Sequence, residues 1–212
     1  MLIASMNQQA SPDVLVVILG PDVSEQAVTV TGNIARIFDP ATDQTLGYNF
    51  LNVSAIDASI SGNGQLALTD AQVAALNQAL TAANMPADLE NDHEPRFVVG
   101  YVEATTPHPD SDHLLVTTTR IDNDQTVQIV SGSPNMTNHI YVVVAKVGAM
   151  MPSGQVIWPG ELRGVPSNGM ITSGRELRLK NAPQKKGALI LPDDFAAVGT
   201  PFDFEKGNTL FA

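Results

Sequence analysis

The chain has 212 residues, of which 43% are hydrophobic and 16% are charged, so the composition predicts a packed globular protein rather than a disordered one. It has no cysteine, which excludes disulfides, thiolate metal sites and cysteine nucleophiles. Its formal net charge of −11 argues at first sight against a polyanionic partner.

Residues 1–86 predict a small α+β domain. Short runs of β-branched and aromatic residues predict strands at 2–6, 14–19, 28–38, 45–53 and 65–68. Turn-forming residues 39–43 join the third and fourth of these strands into a hairpin. A helix follows, capped by Thr69 or Asp70 and ending before Pro86, because apolar residues recur after the cap at spacings of three and four.

Residues 87–95 are acidic, lack periodicity and lie between Pro86 and Pro95, a composition typical of a linker. We therefore place a second domain at 96–212. Strands are predicted there at 97–104, 114–121, 126–130 and 140–147, with a hairpin turn at 122–124 and a short helix after Ser131. About five short strands in roughly a hundred residues fit a small closed barrel, for which an OB-fold is one option.

The charges are unevenly distributed. Residues 1–96 hold 2 basic and 11 acidic side chains, whereas 97–212 hold 9 basic and 11 acidic ones. Within 146–186 there are 7 basic residues against 2 acidic ones. Because physiological salt screens charges beyond roughly 8 Å, this local surplus is compatible with a polyanion, although a solvated surface would show the same pattern.

No apolar run reaches the roughly 18 residues of a membrane helix, since Lys146 interrupts the longest candidate, residues 140–151. No Lys or Arg precedes Arg36, so the N-terminal residues lack the positive start of a secretory or transit peptide. We therefore expect a cytoplasmic protein with no membrane partner.

Five strings occur in a fixed order: FVVGYVE at 97–103, HPDSD at 108–112, QIVSGSPN at 128–135, VAKVG at 144–148 and LRGVPSNGM at 162–170. Together they resemble the tRNA-binding OB domain of bacterial phenylalanyl-tRNA synthetase β subunits, some methionyl-tRNA synthetases and free-standing tRNA-binding proteins. The strings GNIARIF at 32–38 and TLGYNF at 45–50 resemble the extra N-terminal domain of YtpR-type tRNA-binding proteins. The resemblance implies a mainly β protein with a C-terminal OB-fold barrel and a small N-terminal α+β domain.

The resemblance implies direct tRNA contacts for Ser167 and Met170, which lie on its Ser-x-Gly-Met motif. Arg163 offers a forked donor for phosphate, and the flanking serines and asparagine offer short polar contacts. The full set of candidate RNA-binding residues is Asn135, Lys146, Arg163, Ser167, Asn168, Met170, Ser173 and Arg175. Alternatives stay open: Met170 in the core, Asn135 as a cap for backbone groups, and Lys146 extended along the barrel rim.

Several residues suggest metal binding or catalysis, but none of them has the partner residues that such a site requires. His108 and His113 lack the cysteine or glutamate of a zinc site, and Asp110 and Asp112 fit loop capping better than catalysis. Ser131 lacks the first glycine of a hydrolase elbow. We therefore predict no catalytic residue, metal or cofactor. The resembled family usually has Lys where this chain has His113, which predicts weaker RNA binding near neutral pH.

The leading hypothesis is a non-enzymatic protein that recognises folded tRNA through an OB-fold face. The alternative is a protein-interaction adaptor that uses the barrel as a docking module. Resemblance to the free-standing family members implies a homodimer, and translation-related proteins are further candidate partners.

Overall fold

The computed structural model describes residues 1–122 and 125–211, which form two compact units, Met1–Glu94 and Pro95–Ala212. Residues 123 and 124 of the predicted turn at 122–124 lie outside the described residues. Both units are built mainly from antiparallel strands. None of the helices in the described ranges is long and apolar enough to cross a bilayer.

The N-terminal unit is a six-stranded antiparallel sheet with one helix. Its elements are β1 (Ile3–Asn7), β2 (Ser11–Ile18), β3 (Ala27–Thr31), β4 (Ile34–Phe38), β5 (Thr45–Leu51), a 3₁₀ turn (Val53–Ala55), β6 (Gly64–Leu66) and α1 (Asp70–Ala82). The sheet order is β3-β4-β5-β2-β1-β6. Val73, Leu76 and Leu80 of α1 are buried in one core cluster with sheet residues such as Tyr48 and Phe50.

Helix α1 begins where the sequence predicts. The Thr69 hydroxyl accepts a hydrogen bond from the Gln72 amide, and the Gln72 side chain accepts one from the Thr69 amide. This reciprocal capping box satisfies two backbone donors that the first turn would otherwise leave unpaired. The prediction of one continuous strand at 28–38 is wrong, because Gly32 adopts a φ of 57° and folds the segment into the β3–β4 hairpin.

The stretch after α1 packs on the N-terminal unit. The Asn77 side chain donates to the Leu89 carbonyl at 2.9 Å and accepts from the Leu89 amide at 3.0 Å. Leu89 is buried in the same core, and the Tyr48 hydroxyl donates to the Pro86 carbonyl at 2.8 Å. Part of the segment predicted as a linker thus contributes a side chain to this core.

The C-terminal unit is a curled antiparallel sheet followed by an extended C-terminal segment. Its elements are β7 (Phe97–Pro107), β8 (Leu115–Ile121), β9 (Gln125–Ser131), β10 (Ile140–Ala145), β11 (Gly160–Leu162), β12 (Val165–Ser167), β13 (Met170–Ile171), β14 (Ile190–Leu191) and α2 (Phe204–Gly207). The sheet order is β13-β10-β7-β8-β9, with β14 paired to β10 and a separate β11–β12 hairpin.

Contacts between β9 and the β12–β13 segment close the curl. The Asn168 amide donates to the Gln128 carbonyl at 2.9 Å, and the Gln128 side chain donates to the Pro166 carbonyl at 2.7 Å. Inside the curl lies an aliphatic cluster that includes Val102, Ile129 and Val142. This arrangement confirms the predicted fold class, mainly β with a C-terminal OB-type barrel.

Two local predictions in this unit are wrong. Residues 132–139 form turns rather than a short helix, with the Met136 amide bonded to the Ser133 carbonyl at 3.1 Å. Lys146 lies just after β10 rather than in mid-strand, and its amide donates to the Arg96 carbonyl at 2.8 Å.

Candidate nucleic-acid interface

The β11–β12 hairpin places Arg163 at its tip. Leu162 pairs with Val165, and the two residues between them, Arg163 and Gly164, have φ values of 48° and 78°. Positive φ at both central residues is the signature of the type I′ turn, which matches the twist of a two-stranded hairpin. The Arg163 guanidinium donates to the Asp110 carbonyl at 2.8 Å, so one of its N–H groups is already engaged by the barrel loop.

His108 uses both ring nitrogens for hydrogen bonds, one of which holds the same hairpin, so neither nitrogen is free to bind a metal ion. It is 3% exposed, and its Nδ1 accepts from the Asp110 amide at 3.0 Å. That bond leaves the ring proton on Nε2, which donates to the Leu162 carbonyl at 2.9 Å. Both nitrogens are therefore used. Among residues 1–122 and 125–211 there is no group of three or more His, Asp and Glu residues placed to hold a metal ion.

At the exposed end of the loop formed by residues 108–113, the side chains of His113 and Asp112 are hydrogen-bonded. His113 Nδ1 lies 2.9 Å from an Asp112 carboxylate oxygen, and the hydrogen bond from His113 holds the pKa of Asp112 below its ordinary value. The Asp112 carboxylate therefore accepts a hydrogen bond from His113. His113, which stands where the resembled family has Lys, is thus bonded to an acidic residue.

A cleft of about 480 Å³ opens beside this hairpin. Its walls come from the end of β9, residues 155–162, residues 167–173 and the loop that follows β13. The side chains that line it include those of Ser131, Ser133, Trp158, Glu161, Ser167, Met170, Ser173, Arg175, Glu176 and Lys186. A cleft of this volume, with apolar walls and a few polar groups, falls in the range of small-ligand sites.

Four of the eight predicted site residues line the cleft: Ser167, Met170, Ser173 and Arg175. The Ser167 hydroxyl accepts from the Val130 amide at 3.1 Å, and therefore also joins β12 to β9. Met170 is partly exposed while packing against the core.

Lys146 and Asn135 do not line the cleft. The Lys146 ammonium is ion-paired with the Asp122 carboxylate and is mostly buried. Asn135 brackets Ala188, accepting from its amide at 2.8 Å and donating to its carbonyl at 2.9 Å. A Cβ at Gly187 would lie 3.1 Å from the Asn135 side-chain oxygen, so this close approach needs glycine. The geometry therefore gives Asn135 the capping role that the sequence left open.

The loop after β13, residues 172–189 and hereafter the cationic loop, holds five exposed positive charges. These are Arg175, Arg178, Lys180, Lys185 and Lys186. Within the part of the chain that the structure describes, none of their side chains has an ion-pair or hydrogen-bond partner. The one acid of the loop, Glu176, accepts from the amide and hydroxyl of Ser173 at 2.8 and 2.7 Å. The Glu176 carboxylate therefore stabilises the turn that begins at Ser173, and the five cations remain available to a ligand.

Comparison with known proteins agrees with this geometry. Residues 97–201 match the family model described as "Putative tRNA binding domain", and residues 21–92 match a domain of unknown function, DUF4479. A Bacillus subtilis protein named "Putative tRNA-binding protein YtpR" is 42% identical over 202 residues, which cover 95% of this chain and 99% of that protein. The chain belongs to the YtpR family.

The barrel region of this YtpR-family chain is also similar to phenylalanine–tRNA ligase β subunits. The subunit of Shouchella clausii is 49% identical over 90 residues, covering 42% of this chain and 11% of that subunit. The subunit of Idiomarina loihiensis is 40% identical over 130 residues, covering 60% of this chain and 16% of that subunit. The likeness to the synthetase subunits is therefore confined to a small part of their length.

Sequence reasoning did not assign several cleft residues of this YtpR-family chain to the site. Ser131, which the sequence predicts to begin a turn, lines the cleft together with Ser133 and Glu161, which the sequence does not mark as ligand-binding residues. From the sequence, Trp158 could either stack on a base or wedge against the barrel; it lines the cleft and is partly exposed. The available signal was the Gly- and Pro-rich composition around it, which favours irregular backbone near a binding face.

Proposed function

We propose that this chain is a non-catalytic tRNA-binding protein whose C-terminal domain, residues 96–212, holds folded RNA through the cleft and the cationic loop. The observation that carries the proposal is the group of five exposed, unpaired cations beside a cleft with polar and apolar walls. Phosphates supply most of the affinity of such complexes, and cations free of acidic partners need lose no ion pair to bind them. Membership of the YtpR family supports the same assignment.

The predicted contact set divides into two roles in this proposal. Met170 and Arg175 contact the RNA within the cleft, and Arg163 reaches phosphate with the N–H groups that Asp110 leaves free. Ser173 is buried and its hydroxyl is bonded to Glu176, so it shapes the cleft wall. The Ser167 hydroxyl, the amide of Asn168, and the side chains of Asn135 and Lys146 hold the barrel and its loops in place.

Three further assignments belong to the proposal. We place the protein in the cytoplasm, where tRNA is found, and we propose that it forms a homodimer and meets other translation-related proteins on its RNA. Family membership does not favour the alternative of a protein-docking adaptor. Hydrolysis is not part of the proposed function.

A filter-binding titration tests the proposal. The full chain is titrated against a tRNA pool and against an unstructured RNA of equal length, at several salt concentrations. We expect tighter retention of tRNA at every salt concentration and a linear fall of log affinity with log salt. Equal retention of the two RNAs would reject recognition of folded tRNA, and no retention at moderate salt would reject RNA binding altogether. Pull-down of a protein that survives RNase would then support the adaptor.

A further inference from the structure

Trp158 lines the cleft and has no aromatic or hydrogen-bond partner among the described residues. It is the single tryptophan of the chain, it lines the cleft and it is partly exposed. Within the described residues its ring takes part in none of the aromatic pairs, and its indole N–H has no hydrogen-bond partner. Tyrosine and tryptophan at wet, half-apolar sites usually find a partner for their polar end. An open indole in a cleft is therefore a surface on which a planar ligand stacks.

The groups around Trp158 fit the parts of one nucleotide. Met170 adds a second apolar contact, while Arg175 and Lys186 from the cationic loop supply positive charge for a phosphate. Among the described residues the Ser133 hydroxyl has no hydrogen-bond partner, and the Ser131 hydroxyl, which accepts from the Ser133 amide, retains its proton for donation. Binding a phosphodiester alone would require only the positive charges of Arg175 and Lys186. The apolar wall and the hydroxyl donors fit a base and a ribose.

We propose that the cleft takes a single unpaired nucleotide, its base stacked on Trp158 and its phosphate held by Arg175 and Lys186. This inference rests on the proposed RNA-binding function and specifies its ligand, an unstacked nucleotide of a folded RNA rather than a stretch of duplex. Sequence-tolerant stacking of this kind is a recurrent device of OB-folds, because every base presents a flat face. The cleft volume of about 480 Å³ is the scale of one small ligand rather than of a helix.

Because the chain has one tryptophan, its fluorescence reports on the site directly. The wild-type full chain is titrated with tRNA, with a perfectly paired RNA duplex of similar length and with a nucleoside monophosphate, while filter binding measures retention of the two RNAs in parallel. We expect tRNA to quench Trp158 at the concentrations at which it is retained, and the duplex to be retained at low salt without quenching. Quenching by the monophosphate alone, with no effect of tRNA, would assign the cleft to free nucleotides and overturn the proposal.

Two variants complete the test. Trp158→Leu removes the stacking surface and is expected to weaken tRNA binding roughly 5- to 150-fold, while Trp158→Phe restores most of the affinity. Far-ultraviolet circular dichroism and a thermal melt establish that each variant is folded. If tRNA is retained but Trp158 fluorescence does not change, or if folded Trp158→Leu binds as tightly as wild type, the nucleotide site is overturned while RNA binding stands. If tRNA is not retained by the wild type, the proposed function itself fails.

Discussion

Replacing Lys185 and Lys186 with alanine removes two of the five unpaired cations of the cationic loop. Each neutralised phosphate contributes about 0.7 to 0.9 to the slope of log affinity against log salt. If all five cations of the loop contact phosphate, they contribute about −3.5 to −4.5 to the wild-type slope, and the three left in the double variant contribute about −2.1 to −2.7. Between about 50 and about 200 mM salt the loop's contribution to affinity should then fall roughly 130- to 500-fold in wild type, and only roughly 20- to 40-fold in the double variant.

The assay is filter binding of one tRNA over a salt series that includes those two concentrations. A matched control, Ala71→Glu with Gln78→Glu, makes the same change in net charge on exposed positions of α1 in the other unit. We expect the control to leave the slope unchanged, because its two positions lie in the unit that holds none of the candidate RNA-binding residues. A double-lysine variant with the wild-type slope, or a control that lowers the slope as much, would refute phosphate binding by this loop.

Substituting His108 with alanine removes an imidazole that bonds two backbone groups, so denaturant unfolding should show a loss of about 2–4 kcal/mol, and an unchanged midpoint would contradict the anchoring role. Asn135→Ala leaves two backbone groups of buried Ala188 unpaired and should cost about 1–3 kcal/mol in a thermal melt without changing the salt slope, whereas an altered slope at unchanged stability would make Asn135 an RNA contact. Tyr48→Phe removes the bond to the Pro86 carbonyl and should cost about 0.5–1.5 kcal/mol near neutral pH. Burial raises the pKa of the Tyr48 phenol, so the stability from its protonated form is complete below about pH 10 and is lost as pH rises through the folded-state pKa; unfolding measured against pH should show this alkaline loss in wild type and not in Tyr48→Phe.

Local signals in the sequence were sufficient to predict an element where its structure depends on neighbouring residues. The start of α1 follows from Thr69 and Gln72, three residues apart, because both halves of the capping box lie in one turn. The sequence did not reveal the break between β3 and β4 because β-branched residues flank the Gly32–Asn33 turn on both sides. A two-residue turn inside this run was outweighed by the nine other residues of the predicted strand at 28–38.

The site was harder to predict because its contacts join distant parts of the chain. The role of Asn135 depends on Ala188, 53 residues away, and that of Lys146 on Asp122, 24 residues away. Neither partner can be identified from local composition. Residues 162–170 were found through family resemblance, since Ser167 and Met170 belong to a recognisable motif. Trp158 carries no such motif, and only the folded cleft shows that its ring is open to a ligand.

The uneven charge distribution explains how an acidic chain is compatible with an anionic ligand. The N-terminal unit carries a single Lys or Arg, Arg36, which is paired with Asp43 at 2.9 Å, so it offers RNA no free guanidinium. The cationic loop has five free cations and one acid committed to Ser173. At distances beyond a Debye length of about 8 Å the net negative charge of the molecule repels a polyanion only weakly. At shorter distances from the cationic loop, the loop's positive charges dominate the electrostatic interaction. Long-range attraction therefore contributes little, and selectivity for folded RNA must come from short-range contacts such as those in the cleft.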